Sequence, residues 1–360
     1  MNSTYSKNSN QIEIEKMRDK IITDKAVRRH LVFRSHVWFS LIFLNHHFGY
    51  KFAPFQKEMF LLTEDTVHNV IAIMAFRGGG KSTIISLSYV LWAILGIQQK
   101  KCVVIISKSQ QQVKTLLSHI CHELENNKLL RDDLGPFKID NKSEWGALSI
   151  ELPLVGARII AISSGQSIRG IKHGQHRPDL IIIDDIEDAK SISLRERDET
   201  YQWFQSEILP IGDGNTKIMI IGNLVHANSF MMNIKENIEK GRLGGIFRAY
   251  PLLDKHEKIL WPEKFSTPES IKTLQEKLDD YVWRQEYLLH MGAFRYNLRE
   301  CDKELIAHFP AKEKIPCPCK RLEPTSPFMA GYCIDVPIVN EDLLTAAVRK
   351  MLESPSKKKS

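Results

Sequence analysis

A chain of 360 residues with 43% hydrophobic and 26% charged residues has the composition of a folded globular protein, long enough for two domains or one large domain with appendages. Its formal net charge of +7 suits a nucleic-acid partner without requiring one, because a lysine-rich surface gives the same sum. The longest apolar run near the start, from Val37 to Leu44, is far short of the roughly 20 residues that span a bilayer, and six cysteines without a signal-peptide pattern suit a reducing cytosol.

Residues 1–30 are polar and charged with weak helical periodicity, and residues 31–48 read as a helix packed on the domain after it. Pro54 then opens a further helix, Pro54-Phe55-Gln56. Gln56 stands about twenty residues before a glycine-rich loop, the distance at which many translocating ATPases place an aromatic-Gln pair against adenine. A carboxamide offers one donor and one acceptor to a base edge, so Phe55 and Gln56 are candidate base contacts.

The loop itself follows the apolar run Ile71–Phe76: Arg77, three glycines (Gly78, Gly79, Gly80), then Lys81-Ser82-Thr83 opening an amphipathic segment. Strand, glycine loop and helix start, in that order, make a phosphate cradle. Glycines let the backbone approach an anion, Lys81 reaches the β- and γ-phosphates, and the Ser82 hydroxyl can hold Mg²⁺. The first glycine of the GxxxxGKS pattern is replaced by Ala75. The helix is expected to run to Leu95, with Gly96 as its C-cap.

Lys100–Ser107 reads as a doubly buried parallel strand because its apolar run is continuous, and Ser107-Lys108-Ser109-Gln110 falls at its C-terminal edge, where open α/β sheets bind ligands. A helix over 110–125 and two short strands on either side of Pro153–Gly156 come next. After them stands Leu180-Ile181-Ile182-Ile183-Asp184-Asp185-Ile186-Glu187-Asp188, an apolar strand ending in carboxylates about a hundred residues after the loop. The first carboxylate of such a strand, Asp184, orients Mg²⁺ through water beside Ser82, and the next acidic residue positions and deprotonates water. Asp185 has the position for that base, and Glu187 has the longer arm. A helix over 193–209 leads to a strand over 216–221 and then Gly222-Asn223, where Asn223 is suited to sensing a γ-phosphate. Beyond Asn223 no strand-helix series is evident.

Taken together, Phe55-Gln56, the Arg77–Ser82 loop, Ile168-Arg169-Gly170, the Arg177-Pro178-Asp179 lead into Leu180–Asp185, Gly222-Asn223, Leu260–Phe265 and Gln285–Leu288 resemble the large terminase subunit of tailed bacteriophages, over roughly residues 35–350. The resemblance implies an α/β P-loop NTPase of the ASCE, RecA-like kind, with a mainly parallel sheet flanked by helices and the start of an RNase H-like domain. Its organisation would be an N-terminal helical extension (1–50), the ATPase core (51–250), a helical linker segment (251–328) and a truncated nuclease start (329–360). It implies ATP and Mg²⁺ as cofactors, double-stranded DNA, a portal protein and a small terminase subunit as partners, a homo-oligomeric ring, and phage or prophage origin in the bacterial cytoplasm. Arg77 would act as a charge-stabilising finger in cis and Arg169 in trans, although Arg169 fits a surface or DNA-contacting role equally.

Two features near the end of the sequence remain. Asp335, in Gly331–Pro337, matches the family's first nuclease metal ligand, but one strand cannot assemble a two-metal site, so cleavage is not expected. Cys301, His308, Cys317 and Cys319 offer four soft ligands, yet their spacing fits no common zinc finger, and reduced linker cysteines are the favoured reading. The function expected is an ATP-driven DNA-packaging motor. A helicase-like ATPase and an inactive remnant that only binds DNA or portal are the alternatives.

Overall fold

The computed structural model describes residues 18–138, 145–187 and 194–290, the side chains of 194–198 excepted. Asp188, the Cys301–Cys319 group and Asp335 lie outside the described residues. No helix among the described residues is long and apolar enough to cross a membrane.

Seven strands form one sheet: β1 (Val70–Ala75), β2 (Cys102–Ser107), β3 (Ser149–Leu152), β4 (Ala157–Ser163), β5 (Leu180–Asp184), β6 (Lys217–Gly222) and β7 (Ile246–Tyr250). Their order is β3-β4-β2-β5-β6-β1-β7, parallel throughout except for the β3–β4 hairpin. The glycine-loop strand β1 and the acidic strand β5 are thus separated by β6, the ASCE arrangement of a P-loop NTPase. Every residue of β1, β2, β5 and β6 is buried, as continuous apolar runs require in a sheet covered on both faces.

Alternation along each strand divides the core in two. Ile71, Ile73, Val103, Ile105, Ile182 and Ile221 join the larger cluster, and Ala72, Met74, Val104, Ile181, Ile183 and Ile220 the smaller one on the opposite face. The larger cluster is covered by α1 (Lys25–Arg34), α2 (His36–Phe43), α3 (Pro54–Glu64), α4 (Val90–Leu95) and α5 (Gln110–Asn126), followed by the short α6 (Lys128–Leu134). The smaller cluster lies beneath Phe204 and Ile208, just after α7 (Leu194–Trp203), and beneath α8 (Phe230–Glu239). Trp261, Ile271 of α9 (Pro268–Glu276) and Trp283 of α10 (Asp280–Glu286) belong to the larger cluster, so residues 251–290 pack on the same core as the sheet.

Local differences from the sequence reading have physical causes. The helix expected over 31–48 breaks at Ser35, whose extended backbone (φ −131°, ψ 125°) lets the Glu64 carboxylate accept from the His36 N–H and the Ser35 hydroxyl. The helix after the loop widens to π geometry over Thr83–Tyr89 before resuming as α4. Gly96 does end that helix, but in an extended conformation; a Cβ there would sit 2.5 Å from the Trp92 indole, which is anchored to the Val32 carbonyl. Residues 230–250 supply one helix and one strand to this sheet, where no such unit was expected.

The N-terminal helices are tied down by buried polar contacts. Arg28 makes a two-pronged pair with Asp133 at 2.6 and 2.9 Å and donates to the carbonyls of Ile21 and Ile22. His36, fully buried, contacts the hydroxyls of Thr63 at 2.7 Å and Ser88 at 2.9 Å. Lys217 at the start of β6 donates to the carbonyls of Leu62, Thr63 and Asp65, satisfying the C-terminal end of α3.

Candidate nucleotide site

The parallel strands deliver their C-terminal ends to one edge. Ser107 lies in register with Asp184, and Met74 with Gly222, so the glycine loop, the acidic pair and Asn223 emerge side by side.

The loop is shaped from several directions. Gly78 and Gly80 adopt positive φ (75° and 89°), and a Cβ on Gly80 would meet the Gln56 amide at 2.9 Å. The Phe76 N–H donates to the Tyr250 carbonyl and the Arg77 N–H to the Glu286 carbonyl. Lys264 Nζ donates to the Gly78 carbonyl at 2.9 Å while lying over the Trp261 and Phe265 rings, and burial lowers its pKa. Both ends of the Gln56 carboxamide are engaged: its Nε2 donates to the Gly79 carbonyl and its Oε1 accepts from the Ala53 N–H, both at 3.0 Å. The Phe55 ring is buried against Phe76, Tyr250 and Trp261. A cleft of about 370 Å³ opens over the loop, lined by Tyr50, Gln56, Gly80, Lys81, Ser82, Thr83, Trp261 and Lys264.

Lys81 is the hub of the polar contacts. Its Nζ donates to Asn223 Oδ1 at 2.7 Å and lies 3.3 Å from Asp185 Oδ2. Asn223 in turn donates from Nδ2 to Glu286 Oε2 at 2.8 Å, and Glu286 also stands 3.9 Å from the Arg77 guanidinium. Asp184, buried beneath, accepts from Ser82 Oγ at 3.1 Å and from Ser86 Oγ at 2.7 Å. Burial, and then the charge of Asp185, push the Asp184 carboxyl up to about 6. Asp185 has a left-handed backbone (φ 47°), an uncommon state for a non-glycine residue, held by its N–H donating to the Ile221 carbonyl.

The remaining sequence candidates lie apart. Glu187 accepts from the Phe230 N–H at 2.7 Å, at the first turn of α8. Arg169 is largely exposed and pairs with Glu207 at 2.7 Å. Sequence reasoning missed Ser86, Lys264 and Glu286 as contributors. Ser86 was within reach of pattern reading, being four residues after Ser82 on the same helix. Lys264 and Glu286 reach the loop only through long-range closure of the chain.

Ser82 Oγ, which lines the cleft, and the buried Asp184 carboxylate are hard oxygen donors within hydrogen-bond reach of one another, a donor set that fits Mg²⁺.

No protein-family model and no curated protein sequence matches this chain. Solved structures do. The chain is similar to the ATPase domain of the Thermus phage P74-26 large terminase at 16% identity, with a TM-score of 0.46 over 72% of this chain and 99% of that one. It is similar to the HK97 bacteriophage large terminase at 14% identity and a TM-score of 0.47, covering 67% of this chain and 51% of that one. A third likeness is to the large terminase from a thermophilic bacteriophage in complex with ADP, at 10% identity and a TM-score of 0.41 over 66% and 53% of the two chains. These likenesses are of fold alone. The chain spans about half the length of the HK97 protein and of the thermophilic-phage protein bound to ADP.

Proposed function

We propose that this chain is an ATP-hydrolysing motor subunit of the large-terminase type, coupling hydrolysis to translocation of double-stranded DNA. The observation that carries the reading is the convergence of Lys81, Ser82, Asp184, Asp185 and Asn223 at one sheet edge, with Lys81 and Ser82 lining a cleft of about 370 Å³. Lys81 neutralises the β- and γ-phosphates, and the loop amides bind their oxygens. Ser82 and, through water, Asp184 would hold Mg²⁺, which when bound would supply charge neutralisation on the phosphates. Asp185 takes the proton of the attacking water as its oxygen bonds to the γ-phosphorus and the bond to the β–γ bridging oxygen breaks. The capping contact of Glu187 with α8 favours Asp185 over Glu187 for that role.

Asn223 joins Lys81 to Glu286, and Glu286 stands beside Arg77, so a change at the phosphates has a path to α10. Gln56 lines the cleft and supports the loop through the Gly79 carbonyl, with Phe55 packed behind it, so a base contact by this pair would require the carboxamide to share its present partners. Arg77 acts on the transferring phosphoryl group in cis. Arg169, exposed on the surface, reaches a neighbouring subunit's nucleotide in a homo-oligomeric ring. The partners of that ring are a portal protein and a small terminase subunit, in the cytoplasm of a bacterial host, with the gene carried by a phage or prophage.

The test is ATP hydrolysis with and without double-stranded DNA, in wild type and Lys81→Ala. The proposal expects Mg²⁺-dependent hydrolysis, stimulated by DNA and lost in the variant. Absence of Lys81-dependent hydrolysis under every condition refutes the motor and leaves a chain that only binds.

A further inference from the structure

Away from the phosphate loop, a second constellation joins the N-terminal helices to the sheet domain. The turn Asn45–His47 after α2 presents two consecutive histidines to α5. His46 Nε2 and His47 Nε2 each lie 2.9 Å from one atom, Glu123 Oε1. The other carboxylate oxygen, Oε2, accepts from Asn127 Nδ2 at 2.8 Å, and Asn127 also donates to the Phe43 carbonyl. One ligand atom from each of the three side chains falls within 4.8 Å of the other two.

We propose that His46, His47 and Glu123 form a binding site for a divalent transition-metal ion, Zn²⁺ being the best fit. Hydrogen bonding alone would satisfy Glu123, but it does not require both imidazoles to turn the same nitrogen towards one oxygen. A tetrahedral centre with bonds of about 2.0 Å sets its ligand atoms about 3.3 Å apart. The two 2.9 Å contacts therefore need to open by only a few tenths of an ångström, and the two imidazole nitrogens, within 4.8 Å of each other, to settle to the same spacing. Two imidazoles and one carboxylate are a ligand set that zinc uses, leaving a fourth position for water. The supporting shell is also present, because Asn127 fixes Oε2 and so aims Oε1 at the histidines. Glu123 is 2% exposed whereas His46 and His47 are 47% and 30% exposed, which gives the ion an approach from solvent and a buried anchor.

The ion would bind where the imidazoles now donate to the carboxylate, each nitrogen giving up its proton for the metal bond. It would fasten the 45–47 turn to α5. His47 also lines the nucleotide cleft, so the clamp would hold one wall of that cleft, although the proposal does not depend on ATP hydrolysis.

The full chain, freed of any histidine tag and stripped with a chelator, is titrated with Zn²⁺ by calorimetry. Wild type is expected to bind one ion at this site and gain thermal stability. His46→Ala/His47→Ala is expected to lose affinity by about 100-fold or more with an unchanged circular dichroism spectrum, and Glu123→Gln by about 10-fold or more. The Co²⁺ absorption spectrum of wild type needs no variant and separates this site from the cysteines near residue 317. Ligand-field bands without a thiolate charge-transfer band support the site. A wild-type chain that takes up no Zn²⁺, a double variant that binds as tightly as wild type, or a spectrum dominated by thiolate overturns it.

Discussion

Replacing Ser86 with alanine isolates what the loop helix does for the acidic strand. The Ser86 hydroxyl donates to Asp184 Oδ2 at 2.7 Å in a buried setting, so the substitution removes a hydrogen bond to a charged group. Such a bond is worth about 1.5–3 kcal/mol, and one pKa unit corresponds to about 1.36 kcal/mol. The Asp184 midpoint, about 6 in this environment, should therefore rise by roughly one to two units. On the proposed function, a higher midpoint moves the acid limb of ATP hydrolysis to higher pH. The ionised fraction therefore falls at the acid end and is little changed well above both midpoints. The assay is kcat/KM for ATP against pH at constant ionic strength, which reports the free enzyme. The expected result is a loss of about five-fold or more at the acid end and near-equality at the alkaline end. An acid limb that stays in place refutes the reasoning, and an equal loss at every pH assigns Ser86 to packing instead.

Three further outcomes can be measured. Arg28→Ala leaves Asp133 buried without its partner and should cost about 3–5 kcal/mol in urea unfolding, most of which Arg28→Met/Asp133→Leu should restore. Burial, and then the charge of Lys217, hold the His36 imidazole well below its ordinary pKa, so the folded protein keeps it neutral while the unfolded chain protonates it. Its contribution is complete above about pH 6.5 and is lost as pH falls below that, by up to about 1.4 kcal/mol per pH unit; an equal pH slope in His36→Gln would refute this. Gly80→Ala should abolish binding of a fluorescent ATP analogue, and adding Gln56→Ala should recover only part of it. The second change removes the 2.9 Å clash but not the left-handed backbone.

Much of the sheet was legible because burial on both faces writes itself as uninterrupted apolar runs: Ile71–Phe76, Cys102–Ile106, Leu180–Ile183 and Ile218–Ile221. β7 was not. It sits at the sheet edge, is only partly buried over Ile246–Ala249, and carries Arg248, which pairs with Glu58. Of the site, glycine chemistry marked the loop and the carboxylates marked the acidic strand. Nothing local in Asn223 or Glu286 announces that they bond each other across about sixty residues of intervening chain. The π widening of Thr83–Tyr89 has no pattern signal either, since its residues read as an ordinary apolar helix.

The back of the phosphate loop is made late. Its Arg77 amide is held by the Glu286 carbonyl, and Leu252 by the carbonyl of Tyr287. During synthesis the glycine loop therefore leaves the ribosome more than two hundred residues before its support does. On the proposed function, a chain truncated near residue 240 would carry Lys81 and Asp184 yet hold nucleotide poorly, and one ending beyond residue 290 would gain that competence. The same geometry sets the smallest fragment worth expressing, because a cut just after β7 keeps every strand of the sheet and discards the wall behind the loop.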